Sequence, residues 1–194
     1  MHASSRRVHY PYSEYLLLEE LSDTKHEYFD GEIYAMAGGT PDHAALAFAV
    51  LQIIGRQLPP ARGCRAYTSD LRVRVTTGLT TYPDGTVVCG GTKRAVDDPI
   101  AVTNPLLLIE VTSDSTEKYD RGDKLEHYQT IPTVEEIVIV SHREPRITVH
   151  RRDKHGWTEE EAGAGESVKI ESIAGVLHID DVYRNGLEDA SPQS

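Results

Sequence analysis

Cysteine is scarce in this 194-residue chain: Cys64 and Cys89 are the only two. So small a number excludes a disulfide framework or a cysteine-built zinc cluster, and a reducing, intracellular and cytoplasmic setting is expected. Long apolar runs are also missing. None approaches the roughly 20 residues of a membrane helix, and the opening Met1-His-Ala-Ser-Ser-Arg-Arg has no secretory apolar stretch, so no membrane partner is expected. The patterns H-E-x-x-H, C-x-x-C and G-x-S-x-G do not occur, which removes the zinc-hydrolase and serine-hydrolase readings. Gly38-Gly39 stands before a helix, but the phosphate loop G-x-x-x-x-G-K-[ST] is absent. Positive charge is in deficit too: the net charge is −11, which weighs against a general nucleic-acid binder. That deficit is uneven, −7 over residues 153–194 and −4 over residues 1–152, so local basic surface remains available in the first three quarters. Arg72, Arg74, Lys93, Arg94, Lys118 and Arg121 are the candidates for a phosphate-contacting rim, with scattered surface charge as the plainer reading.

What is present is an ordinary globular composition, 39% hydrophobic and 26% charged. Its length suits one domain, expected over residues 11–185 between a flexible leader (1–10) and a flexible tail (186–194). After Pro11, Ser13 to Leu18 reads as a short helix with Ser13 as its cap. Asp30-Gly31, between apolar-containing arms, signals a two-residue hairpin, because both central positions of such a turn need positive φ. Thr40-Pro41-Asp42-His43 starts a second helix, with a capping hydroxyl, a proline suited to the first position and an acid at the positive dipole end. Ala44 to Leu58 is apolar on most sides, which predicts a buried helix ending before Pro59-Pro60. Strands are expected at Cys64–Tyr67, at Ser69–Thr76 and after Asp84. Tyr119 to Gln129 reads as a helix that places Asp120, Lys124 and Tyr128 on one face. It is followed by a buried strand, Glu136 to Val140, and then by a terminal β layer. The strand–helix–strand step from Glu110 to Val140 implies a parallel pair, hence an α/β fold with a mixed sheet flanked by helices and further hairpins at both ends of the chain.

The most informative segment is Leu106-Leu107-Leu108-Ile109-Glu110-Val111, a strand expected to be buried on both faces and carrying one carboxylate. A buried Glu must be paired, neutralised or bound to a metal ion. Asp84 precedes the preceding strand, so the two acids reach one pocket if the strands are neighbours. Mg²⁺ is commonly held by one or two carboxylates with waters and phosphate oxygens, and it activates both a phosphoryl group and a water. A lysine beside them would complete a phosphodiester-cleaving centre. The position on Glu110's own face, two residues along, is Thr112, so Lys124 on the next helix is the best substitute and Lys118 the second choice. The plainer readings are a strand-end Glu110 paired with a structural cation, a turn-forming Asp84 after Pro83, and a solvated Lys124. His43 at a helix start reads as a surface residue, or as a contact to substrate phosphate.

Tyr82-Pro83-Asp84 followed by Ile109-Glu110-Val111 is similar to the PD-(D/E)xK nuclease superfamily, and the longer pattern resembles its Uma-type restriction-endonuclease family. The matching segments are Lys25 to Tyr34, Met36 to His43, Cys64 to Val73 and Asn104 to Tyr128. The resemblance implies a restriction-endonuclease-like mixed sheet flanked by helices and divalent-metal-dependent cleavage of DNA. By it, Asp84 and Glu110 match the metal-binding acids, the Val111 carbonyl is a further ligand, and Mg²⁺ or Mn²⁺ is the cofactor. Glu27 then completes the acidic cluster, where the hairpin alone suggests an exposed cross-strand partner. The motif's lysine position is Thr112, a departure that makes catalysis depend on Lys124. The alternative is a nuclease fold kept as an inactive DNA-binding or protein-interaction module. Exposed β edges and the need to cut two strands imply a homodimer.

Overall fold

In the computed structural model, residues 8–36 and 38–187 are described. Most of the expected leader and tail lies outside them. Tyr10 is tied down: its N–H donates to the Gly31 carbonyl, and the Tyr28 hydroxyl donates to its carbonyl. Helix α1 (Tyr12–Leu21) starts directly after Pro11, so Ser13 lies inside it and is not its cap. The hairpin of β1 (His26–Phe29) and β2 (Glu32–Ala35) turns at Asp30 and Gly31, whose φ values are 46° and 80°. The dipeptide therefore acts as the sequence implies.

Helix α2 (Pro41–Gln57) is capped by Thr40, whose side chain accepts from the His43 N–H. It buries one face only, Leu46, Val50 and Ile54, and Phe48 stays 67% exposed, so the expectation of a fully buried helix is corrected. Strand β3 (Arg65–Thr68) follows, then β4 (Val73–Arg74), which is all that forms of the strand expected over Ser69–Thr76, and β5 (Thr80–Thr81) beyond it. The backbone from Val75 to Leu79 turns back on itself, with Val75 donating to Leu79, which limits β4. Next come β6 (Gly85–Val88) and β7 (Leu107–Val111). The helix expected over 119–129 is two pieces, α3 (Glu117–Asp120) and α4 (Asp123–Gln129), broken at Gly122, where an added Cβ would meet the Lys118 carbonyl. The chain ends in β8 (Glu136–Val140), β9 (Arg146–Asp153), β10 (Gly156–Gly163), β11 (Ser167–Ile170), β12 (Gly175–His178) and α5 (Ile179–Val182).

A six-stranded sheet runs in the order β10-β9-β8-β7-β6-β3. All its pairs are antiparallel except β7–β8, the pair joined through α3 and α4. A four-stranded sheet, β2-β1-β5-β4, and the β11–β12 hairpin flank it. Strand alternation divides the core in two. Leu107, Ile109 and Val111 pack with Leu46, Val50 and Ile54 of α2, while Leu108 faces Leu125, Tyr128 and Ile131. Glu110 shares the parity of Leu108 and is turned toward α4.

Cys64 and Cys89 form one disulfide, a bond that the expectation of a reducing setting did not foresee. The β3–β6 register pairs Arg65 with Val88, so the residues one step beyond face each other, a relationship hidden by 25 residues of separation. Among the described residues, no helix is long and apolar enough to cross a membrane.

Candidate active site

Glu110 comes from the central strand β7 and is 4% exposed. Its Oε1 accepts from the Tyr128 hydroxyl at 2.5 Å and lies 3.0 Å from Lys124 Nζ. Burial pushes its carboxyl up to about 8; the Lys124 charge opposes that push, and the charges of Asp84 and Asp120 add to it. Lys124, on α4, is itself buried, and its ammonium also lies 3.1 Å from Glu27 and 3.6 Å from Asp120. Burial alone would favour a neutral amine, but Glu110, Tyr128, Glu27 and Asp120 together hold the lysine well above its ordinary pKa. The Nζ also faces the rings of Tyr119 and Tyr128 at 5.8 and 5.9 Å. Glu27 is buried, accepts from the Thr81 hydroxyl and pairs with Lys124, so the exposed cross-strand reading is corrected. Glu27 lies on β1, and β1 pairs with β5 at Thr80, next to Thr81. The small sheet and β7 thus each bring one acid to the same lysine.

Asp84 sits where the chain enters β6. Its Oδ2 accepts the Val111 N–H at 2.8 Å and lies 3.2 Å from His43 Nε2. Helix α2 approaches closely because Gly85 has no side chain: a Cβ there would fall 2.8 Å from Ile109 and 3.0 Å from Leu51. The hydrogen bond that His43 donates to Asp84 raises the His43 pKa; burial works against it, and a hydrogen bond to the Val111 carbonyl adds to it. The imidazole therefore stands between a carboxylate and a carbonyl, where a cation is favoured.

These groups line one cleft of about 880 Å³, together with Tyr119, Thr112, His142 and Arg143. A smaller hollow of about 280 Å³ beside Arg65 and Tyr67 has no acidic lining. Four carboxylates of the cleft, Glu27, Asp84, Glu110 and Asp120, face two cations, Lys124 and His43. Among the described residues, no group of three or more His, Cys, Asp or Glu side chains is placed to hold a metal ion. The ligands that the sequence suggests are the Asp84 and Glu110 carboxylates and the Val111 carbonyl, the last of which His43 meets here. That hard-oxygen set fits Mg²⁺ or Mn²⁺, for which one or two carboxylates suffice when water and phosphate supply the rest.

The expected basic rim does not form in this cleft. Arg72 is buried against Asp98 and Tyr82, Arg74 is bound to the Gly78 carbonyl and Thr80, Arg94 to the Pro99 carbonyl, and Arg121 pairs with Glu117. Lys93 and Lys118 are not among the lining residues. His142 and Arg143 do line it and were missed. They follow β8, whose register sets Val140 beside Val111, so a parallel β7–β8 pair brings them to Glu110's end of the sheet.

Comparison with known proteins agrees with this architecture. Residues 12–180 match the model of the Uma2 family, described as "Putative restriction endonuclease". The chain belongs to the Uma2 family. Two uncharacterized proteins of Synechocystis sp. are similar to it. One, slr1290, is 35% identical over 173 residues, 88% of this chain and 90% of its own length; the other, sll1609, is 35% identical over 132 residues, 66% and 72% of the two chains. A crystal structure from Anabaena variabilis, described as "a putative nuclease belonging to DUF820", superposes with a TM-score of 0.72 at 21% identity, over 89% of this chain and 96% of that one. This last likeness concerns the fold. The restriction-endonuclease-like α/β sheet expected of a Uma2 member is the one found here.

Proposed function

We propose that this Uma2 protein is a divalent-metal-dependent DNA endonuclease whose catalytic residues are Asp84, Glu110 and Lys124. The observation that carries the reading is the buried ammonium of Lys124 beside Glu110, in a cleft where acids outnumber cations. Perturbed titratable groups gathered in one concave site are the physical mark of a candidate functional centre. A hydrolytic centre needs that concentration.

Asp84, Glu110 and the Val111 carbonyl would hold the ion, with His43 as the cation kept against Asp84 in its absence. When bound, Mg²⁺ or Mn²⁺ would polarise the scissile phosphoryl group and acidify a water. Lys124 is kept protonated by Glu27, Glu110 and Asp120, so it is a hydrogen-bond donor and a fixed positive charge, not a base. It orients the attacking water and offsets charge developing on the phosphoryl oxygens. Tyr128 pins the Glu110 carboxylate, and Glu27 and Asp120 fix the lysine. Cutting both strands of a duplex would call for two such centres, in a homodimer.

The test is plasmid DNA incubated with Mn²⁺ or Mg²⁺ and the purified protein. Wild type should nick and linearise it, and Asp84→Ala, Glu110→Ala and Lys124→Ala should lose nearly all turnover. Equal cleavage by wild type and both acid variants rejects the assignment. Binding of DNA without cleavage under any divalent ion would favour the inactive binding module, for which Thr112 at the motif's lysine position is the observation.

A further inference from the structure

The floor of the cleft poses a problem for a polyanionic substrate. Asp84, Glu110, Glu27 and Asp120 are all acidic, and Lys124 and His43 are already committed to them. A nucleic-acid strand needs cationic anchorage on the wall. Among the described lining residues, the remaining cation-bearing side chains are His142 and Arg143.

We propose that His142 and Arg143 form a subsite for a backbone phosphate of the nucleic-acid strand, closed in the free protein by the Asp114 carboxylate. The proposal rests on the nuclease reading and deepens it. Thr112, fully buried just past the end of β7, holds the His142 ring: its Oγ1 is 2.8 Å from Nδ1 and accepts the His142 N–H at 3.2 Å. With Nδ1 spent on Thr112, Nε2 is left for an anion and lies 3.1 Å from Asp114 Oδ1. The Arg143 Nη2 reaches the same oxygen at 2.7 Å, while its Nε lies 3.3 Å from Glu117. Two donors from adjacent residues thus converge on one anionic oxygen in the wall of the cleft. A phosphate oxygen has the same requirement, and the arginine fork suits it.

Asp114 has the character of a displaceable occupant. Its side chain is 87% exposed, on the turn between β7 and α3, and its two side-chain partners here are the two donors. An arriving phosphate competes with an exposed carboxylate, whose hold in water is weak. At the motif's lysine position, Thr112 thus positions the substrate-facing histidine.

The experiment measures anisotropy of labelled duplex and single-stranded oligonucleotides over a salt series, with Ca²⁺ replacing Mg²⁺ so that binding is read without cleavage. Plasmid cleavage with Mn²⁺ is measured in parallel. Arg143→Ala should weaken binding about tenfold and flatten the log–log salt slope by about one unit. His142→Gln should weaken it less. Asp114→Ala should tighten binding at least threefold, an outcome that a damaged fold does not produce. A wild type that binds and cuts, with Arg143→Ala and Asp114→Ala both unchanged in affinity and slope, overturns the subsite and leaves the nuclease reading standing. A wild type that neither binds nor cuts overturns both.

Discussion

Lys124 Nζ and Glu110 Oε1 lie 3.0 Å apart, although the lysine belongs to α4 and the acid to β7. The motif's lysine would stand on the same strand as the acid; here the strand leads into Thr112, and the ammonium arrives from the helix above. The Gly122 break matters to this delivery. It starts a new helix whose first turn carries Lys124 over the strand, while Asp120, at the end of the previous piece, remains within 3.6 Å.

Replacing that ammonium has two separable consequences. Lys124→Ala should lower kcat by about 10²- to 10⁴-fold, the range for a group acting on the transferring proton or the developing charge. It should also cost about 3–5 kcal/mol at neutral pH, because the buried acids Glu27 and Asp120 lose their cation and Glu110 loses its hydrogen-bond donor. Urea unfolding at pH 5 and pH 8 checks the second part. The penalty should shrink at pH 5, where the stranded acids can take up protons. An equal penalty at both values would mean that the carboxylates do not depend on the lysine.

The pH dependence of the metal-free protein follows from Glu110. Its carboxyl titrates at about 8 when folded, against an ordinary value of 4.5, so between these values the folded state holds the extra proton. Stability from this group is fully present below about pH 4.5 and is lost as pH rises through 8. Denaturation midpoints in wild type and Glu110→Gln should therefore diverge: wild type falls across this range, and the Gln variant lacks that component. Metal affinity should run the other way, tightening toward pH 8 with proton release, which calorimetry in buffers of different ionisation enthalpy detects.

Much of this architecture is written locally, and the parts that are not have a common cause. Asp30-Gly31, Thr40-Pro41 and the apolar runs of β7 and β8 each act within a few residues, so turn, cap and buried strands were legible. That Asp84 and Glu110 reach one cleft was legible because their strands are consecutive neighbours. The disulfide, the burial of Glu27 and the place of His142 in the cleft depend on registers between distant segments. Cys64 meets Cys89 through the β3–β6 pairing, and Glu27 meets Lys124 only once a second sheet folds over α4. A charge on a sequence has no partner until such pairings exist, and for that reason Arg72 and Arg74 read as free surface cations when they are held inside the protein.

Glu136 provides a control at the opposite end of the same strands. It is fully buried, accepts the N–H groups of Glu171 and Ser172 and the Arg151 guanidinium, each at 2.9 Å, and does not line the cleft. Glu136→Ala should cost about 3–5 kcal/mol in urea unfolding by leaving Arg151 and two backbone donors without it. The turnover of the fraction that remains folded should match wild type. A variant that is fully stable yet inactive would reverse these roles.

The disulfide predicts a stability effect without a catalytic one. It closes a loop across a sequence separation of 25, for which the chain-entropy model gives about 3.5 kcal/mol. The bond lies at the end of β6 remote from Asp84, and neither cysteine lines the cleft. Reduction, or Cys64→Ser with Cys89→Ser, should lower the denaturation midpoint with little change in kcat/KM. Thiol titration of unreduced, denatured protein should find no free cysteine. Two free thiols there, or a loss of activity on reduction without unfolding, would contradict this placement.

Asp84 combines two duties that its substitutions can separate. The carboxylate accepts the Val111 N–H at 2.8 Å, which fixes the end of β7 beside Glu110, and it is also one of the proposed ion ligands. Asp84→Asn keeps a carbonyl oxygen able to accept that N–H, so its stability should stay within about 1 kcal/mol of wild type. Asp84→Ala leaves the donor without its partner and should cost about 1–3 kcal/mol. Both variants lose the negative charge, so both should bind Mn²⁺ at least tenfold more weakly in calorimetric titration and lose cleavage together. The contrast between Asn and Ala thus isolates the structural duty, while their shared defect isolates the metal. Full Mn²⁺ affinity in Asp84→Asn would remove this residue from the ligand set and leave it as a strand-end clamp.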